Sequence, residues 1–235
     1  MTSNDDRIEY AARSTEILRP PKQSLSSFGM TNVHYYLLTE PAYSELMDES
    51  TNETVIREGR VIAEKPRIVT PYYLSRLEGF SQEAKRYFST LINVHGPDAP
   101  GLFYTYRNEP EGLNIVSDSL MTVVNRINED IERRGDPLAS IIKGEDELWD
   151  VSLMKFIYEI TRSSLQTNLT QLGTRGLLDM DSSGLPSDAR LRIEEFFQQV
   201  IKGEREPQEL KMELDRWNVF EEYEDRFLSI FKRRR

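Results

Sequence analysis

The hydrophobic residues of this chain change period once, near residue 117, and that change limits the fold more than any other feature. Before it, short runs of β-branched and aromatic residues alternate with Pro and Gly. Val33-His34-Tyr35-Tyr36-Leu37-Leu38-Thr39 is β-prone and is stopped by Pro41. Thr54-Val55-Ile56-Arg57 and Arg60-Val61-Ile62-Ala63 flank Glu58-Gly59, which predicts a hairpin with a two-residue loop. Arg67-Ile68-Val69-Thr70 gives a further strand between Pro66 and Pro71. Residues 81–93 read as a helix capped by Ser81. Residues 101–107 and 113–116 read as strands around the turn Glu109-Pro110-Glu111-Gly112.

After residue 117 the spacing is helical. Leu120, Val123, Val124, Ile127 and Ile131 share one stripe, closed by Gly135. Asp136-Pro137 predicts a short helix ending at Gly144. Residues 146–172 form the longest periodic segment, with Gly173 as its terminal glycine. Its middle, 151–160, is apolar on nearly all sides, which predicts a helix at the centre of a helical domain. Ser187 is the expected cap of the next helix, Gly203 its end, and one or two helices follow from Pro207. The expected class is therefore α+β: a β-rich N-terminal part with one helix, followed by an all-helical C-terminal part. The expected division is a polar N-terminal arm over residues 1–29, a β-rich part over 30–116 and a helical part over 117–235, with one continuous domain equally compatible.

The 235 residues include no Cys and two His, His34 and His95. Thiol nucleophiles, disulfides and thiolate zinc sites are thereby excluded. With 10 Phe, 11 Tyr and 2 Trp the chain is equipped for an ordered core. The net charge of −10 disfavours nonspecific adhesion to nucleic acid or anionic lipid. No apolar run approaches the ~18 residues of a membrane span. The opening residues Met1 to Arg7 carry no apolar stretch, so the expectation is a cytoplasmic protein that does not engage a membrane. Phosphate-binding glycine loops, a dinucleotide fingerprint and a nucleophile elbow are all missing from the sequence, and no cofactor is expected.

Four segments carry candidate chemistry. Asp179, Asp181 and Ser183 before Gly184 match the first half of a calcium loop. The second half fails, because Arg190 stands where a bidentate Glu belongs. An Asx turn before a capped helix accounts for the same residues. Gly173-Thr174-Arg175-Gly176 resembles the GxxG loop of KH-type RNA binders, but a long helix precedes it and an acidic turn follows. Two glycines at a helix end explain it more simply. A winged-helix reading of 163–178 puts Asp179 and Asp181 where they would repel phosphate. His95, with Asp98 to orient it, lies in a loop with two Pro and two Gly and could serve as a general base.

The fourth candidate is a surface of cations and aromatics: Arg57, Arg60, Lys65, Arg67, Tyr72, Tyr73, Tyr104, Tyr106 and Arg107. On the hairpin reading, Arg57 and Arg60 sit opposite each other at the tip. Such a set can grip a peptide or stack bases. Strands also favour Tyr, and edge strands carry cations against aggregation. The C-terminal stripe Phe220, Tyr223, Phe227, Ile230 and Phe231 suits docking or dimerisation through the C-terminal helices. The sequence thus points to a non-enzymatic protein that binds another macromolecule, an interaction or regulatory module. Two alternatives stand beside it: a nucleic-acid binder using the Arg/Tyr surface, and a hydrolase-like enzyme centred on His95.

Overall fold

A computed structural model describes residues 4–43, 53–76, 92–93, 96 and 101–233. The helix expected over 81–93 falls almost entirely outside these residues. The chain gathers into two compact units, each drawing on two stretches of sequence: residues 1–65 with 104–168, and residues 66–103 with 169–235. The architecture is α+β, a mixed sheet from the N-terminal half followed by helices.

In the first unit, a short helix α1 (Asn4–Ser14) leads into a five-stranded sheet. Its strands are β1 (Glu16–Arg19), β2 (Thr31–Thr39), β3 (Thr54–Ala63), β6 (Tyr106–Val116) and β7 (Ala139–Lys143). Their spatial order is β1-β7-β2-β3-β6. Only the β2–β7 pair is parallel; the other three are antiparallel. Two helices cover the sheet. Helix α3 (Leu120–Arg134) packs Leu120, Val123, Ile127 and Ile131 against Tyr36, Leu38 and Ile141 on one face. On the other face, Leu153, Phe156, Ile157 and Ile160 of α4 (Trp149–Thr174) meet Val33, Tyr35, Leu37 and Ile142. Each such apolar side chain, once fully buried, contributes about 1.5–3 kcal/mol.

Among the described residues, the second unit holds β4 (Arg67–Val69) paired with β5 (Gly101–Phe103), a short helix α2 (Pro71–Ser75), and three longer helices. These are α5 (Ser187–Lys202), α6 (Pro207–Trp217) and α7 (Phe220–Arg233). Ile193, Phe197 and Val200 of α5, Leu210, Leu214 and Trp217 of α6, and Tyr223, Phe227 and Ile230 of α7 form its core. The terminal stripe expected to dock outward is thus largely turned into this core. Tyr73 packs its ring 4.5 Å from Trp217, and both donate to the buried Glu213, at 2.9 and 3.1 Å.

Helix ends follow the local signals closely. Gly135 and Gly203 adopt left-handed φ of 65° and 78° at the ends of α3 and α5. Glu206 and Glu209 close a capping box around Pro207. Two ends shift: Ser187 is the first residue of α5 and not its cap, the cap position being Pro186 with no side-chain bond, and α4 runs through Gly173, where the left-handed residue is Gly176, whose N–H reaches the Gly173 carbonyl at 2.9 Å while Leu177 N–H reaches Leu172 at 3.1 Å. The bonds of Gly176 and Leu177 make a Schellman motif, which accounts for the GxxG spacing.

Strand signals fare differently. Glu58-Gly59 is not a turn; β3 runs straight through it. The expected turn at Glu109 to Gly112 is also read through, by β6. The two false turns meet across the ladder: Glu58 pairs with Gly112 and Gly59 with Pro110, leaving Glu111 as the extra residue of a β-bulge. Gly59 is needed for space and not for backbone freedom. A Cβ there would lie 2.5 Å from the Tyr35 hydroxyl and 2.8 Å from the Glu109 carbonyl. Pro110 has no N–H to donate, which an edge strand tolerates at a bulge.

Three further expectations are corrected. The helix expected over 136–144 is strand β7, because four of its five residues are buried between β1 and β2, where helical periodicity has no solvent face to serve. Asp136 does form the expected local bond, accepting from Leu138 N–H at 2.9 Å, but the chain then extends. Within the stretch read as a polar arm, Glu16–Arg19 is an edge strand paired with β7. Helix α4 covers a sheet face instead of centring a helical domain, and Met154 and Tyr158 on its outer side are each 64% exposed.

Candidate functional site

Register places the two hairpin arginines on opposite faces of the sheet. Arg57 stands across from Leu37 and Arg60 across from His34, and residues three apart on a strand point opposite ways. Arg57 is enclosed: its guanidinium binds Asp146 at 2.8 Å, donates to Thr39 at 3.1 Å, and lies 5.6 Å from the centre of the Trp149 ring. Burial works against ionisation of Asp146, but donors from Thr39, Arg57 and the Ala42 N–H outweigh it and hold the carboxyl below its ordinary range.

On the other face the bulge turns Glu111 toward Arg60, whose Nε lies 2.5 Å from it. The second Glu111 oxygen is 3.7 Å from His34 Nε2, and Asp136 binds His34 Nδ1 at 3.2 Å. His34 thus stands with a carboxylate at each ring nitrogen. The two acids lie on opposite sides of the ring and do not converge on one cation. Nearby, burial raises the Tyr36 phenol, against the opposing hydrogen bond from Arg134 at 2.8 Å.

The remaining members of the Arg/Tyr set divide between the two units. Tyr104 and Tyr106 pack on the α4-side core; their hydroxyls bond Asn168, at 3.0 Å, and Thr161. Burial pushes the Tyr106 phenol up to about 12, with the Thr161 bond opposing. Arg107 is exposed and pairs with Glu109 at 3.0 Å, and Lys65 is half-buried after β3. In the second unit Arg67 lies 5.1 Å from the Phe103 ring centre, Tyr72 lies under Arg76 at 4.8 Å, and Tyr73 is in the core. The set expected as one surface is therefore not gathered on one face, and most of its aromatic rings are packed inward.

At the loop that half-matches a calcium site, Asp181 accepts from Ser183 N–H at 2.8 Å and Leu185 N–H at 3.1 Å, and its other oxygen is bound by Arg190. Arg190 also reaches Glu222 at 2.6 Å and the Tyr223 hydroxyl at 2.9 Å. A guanidinium occupies the place of the missing Glu, and the loop fastens α5 to α7. Burial opposes ionisation of Asp181, but these donors hold its carboxyl well below the ordinary range. Among the described residues no cluster of three or more His or acidic side chains could hold a metal. His95 and Asp98 lie outside the described residues. A groove of about 380 Å³ runs between the chain after β1 and α4, with Lys22, Glu159, Ser163 and Ser164 among its walls. Lys22 there is engaged by Glu132 at 2.9 Å.

What the sequence reading passed over is the outer border of the sheet. β6 ends the strand order, and its residues Leu113 and Ile115 are 59% and 55% exposed. Leu113 pairs with Arg57 and Ile115 with Val55, so both point to the α4 side. Met154, Tyr158, Thr161 and Leu165 follow one stripe of α4, and Thr161 meets Tyr106 of β6. Among the described residues no strand pairs with this border, and its exposed Leu113 and Ile115 lie on the sheet face that α4 covers. The alternation Leu113-Asn114-Ile115 announced a strand with an apolar face. Nothing local announced that this strand would be outermost. Among the described residues, no helix is long and apolar enough to cross a membrane. No family model, no curated protein and no solved structure matches the chain.

Proposed function

We propose that this chain is a non-enzymatic binding protein that takes up an extended protein segment along the free border of β6. The observation that carries this reading is a border strand that has no strand partner among the described residues and that exposes Leu113 and Ile115 on one face. A strand added there would satisfy main-chain groups on β6 and bury alternate side chains against Leu113 and Ile115. Arg107, exposed near one end of the strand, and Arg60 beside the bulge remain as rim charges. The nucleic-acid alternative loses support because Arg57, Arg60 and Arg107 each face a carboxylate within the fold and the net charge is −10.

The test is selection of extended peptides from a random displayed library on the immobilised chain. Enriched sequences should alternate apolar and polar residues, and should lose binding to the variant Leu113→Lys with Ile115→Lys. Undiminished binding to that variant, or no enrichment, would sink the reading.

A further inference from the structure

We infer that the segment taken up by β6 is the β6 of a second copy of this chain, the two strands pairing antiparallel about a two-fold axis through Asn114. This rests on the strand-addition reading above and names its partner. The argument is one of self-complementarity. An axis perpendicular to the sheet keeps every side chain on its own face, so it must pass through a residue and not between two. Centred on Asn114, it sets Leu113 opposite Ile115 of the copy, twice over, on the α4 side. Both exposed aliphatics then find an aliphatic partner, and Asn114 meets Asn114 on the far side.

The neighbouring pairs fit as well. Gly112 faces Val116, the last residue of β6, and the bulge residue Glu111 and the bend at Ser117 and Asp118 lie just beyond this ladder. No charge opposes a like charge: Glu111 is held by Arg60, and Asp118 by Arg126 at 3.1 Å. Other centres do worse. An axis at Leu113 drives Glu111 against Ile115, and one at Ile115 sets Leu113 against Ser117. The stretch from Gly112 to Val116 is also the longest part of β6 without a charge or a proline, the two devices that normally protect a sheet border. Pairing would join two five-stranded sheets into one of ten.

Sedimentation of the purified full chain over about a hundredfold range of concentration is the first measurement, since an equilibrium dimer dissociates on dilution. The expected result is a monomer–dimer equilibrium. The variant Leu113→Lys with Ile115→Lys should be monomeric throughout, with an unchanged circular dichroism spectrum. Leu113→Lys with Ile115→Glu should recover the dimer, because this register alone sets each Lys opposite a Glu. The absence of native cysteine allows a second readout: Asn114→Cys should cross-link to itself under mild oxidation, and Arg107→Cys should not. A wild-type chain that stays monomeric at every concentration overturns the inference, as does a dimer that survives the double lysine variant. Either result leaves the peptide selection to decide the strand-addition reading independently.

Discussion

The two units of this protein are held by interactions of different range. In the sheet unit, the pairs that define the fold join residues far apart in sequence: His34 with Ala139, Val61 with Asn108, Ile17 with Ile142. In the helical unit, the defining features are local: a capping box at Glu206, a left-handed Gly203, an Asx turn at Asp181 fastened by Arg190 nine residues on. Glycine shows the contrast most directly. Gly203 sits in open space and is selected by its φ of 78°, whereas Gly59 is selected by two neighbours from other strands. Local rules describe the first unaided. The second is invisible until the register is known.

The contrast can be broken most forcefully at these glycines. Gly59→Val is expected to destabilise the protein by about 3 kcal/mol, since neither the Glu109 carbonyl nor the Tyr35 ring can give way freely. Gly203→Ala should cost only ~1 kcal/mol, the strain of a left-handed alanine with nothing to clash against. Chemical unfolding followed by circular dichroism reads both. Equal effects would mean that the bulge is not as tight as drawn.

Arg57 offers a test of intermediate size. Arg57→Ala leaves Asp146 without its guanidinium and should cost about 2 kcal/mol, while Arg107→Ala, at an exposed pair, should stay within about 0.5 kcal/mol. At an exposed hairpin tip, Arg57→Glu with Arg60→Glu would leave the melting temperature intact. In a continuous β3, with one arginine enclosed, the same double variant should lower it clearly.

The smallest effects lie in pH dependence, and they differ in sign between the units. Tyr106 binds its proton more tightly in the folded chain, its phenol raised to about 12, so its contribution is complete below the ordinary tyrosine range and is lost as pH rises from about 10 through 12. Asp181 is depressed in the folded chain, so its contribution is complete above the ordinary Asp value and is lost as pH falls below about 3.9. Tyr106→Phe should therefore flatten part of the alkaline decline in stability, and Asp181→Asn part of the acid decline. Urea midpoints across the two pH ranges would show it, and an unchanged slope in either variant would remove that residue from the account.

The same difference in range explains what could be read from the sequence. The α+β class, the stripe of α3 with Gly135, and the helices starting near Ser187 and Pro207 were all legible, because their signals lie within one or two turns. Glu58-Gly59, Glu109 to Gly112 and Asp136-Pro137 each carried strong local turn or cap chemistry, and each was overruled by pairing with a distant strand. The candidate site suffered likewise. Arg57 and Tyr106 were visible as residues, but their enclosure by Asp146, Trp149 and Thr161 depends on α4 and on the loop before it. Leu113 and Ile115 read as ordinary strand residues, since being outermost is a property of the whole sheet.

The position of β7 bears on how the chain can be made. Strands β1 and β2 are not neighbours; β7 lies between them, and it leaves the ribosome more than a hundred residues after β2. Until residue 143 has emerged, β2 has an empty flank carrying Tyr35, Tyr36, Leu37 and Leu38, which is the kind of border that recruits strands from other chains. Segment 66–103 of the other unit is synthesised during that same interval. Neither unit can therefore finish before the other has begun, and β2 waits through that whole interval for the neighbour that closes its flank.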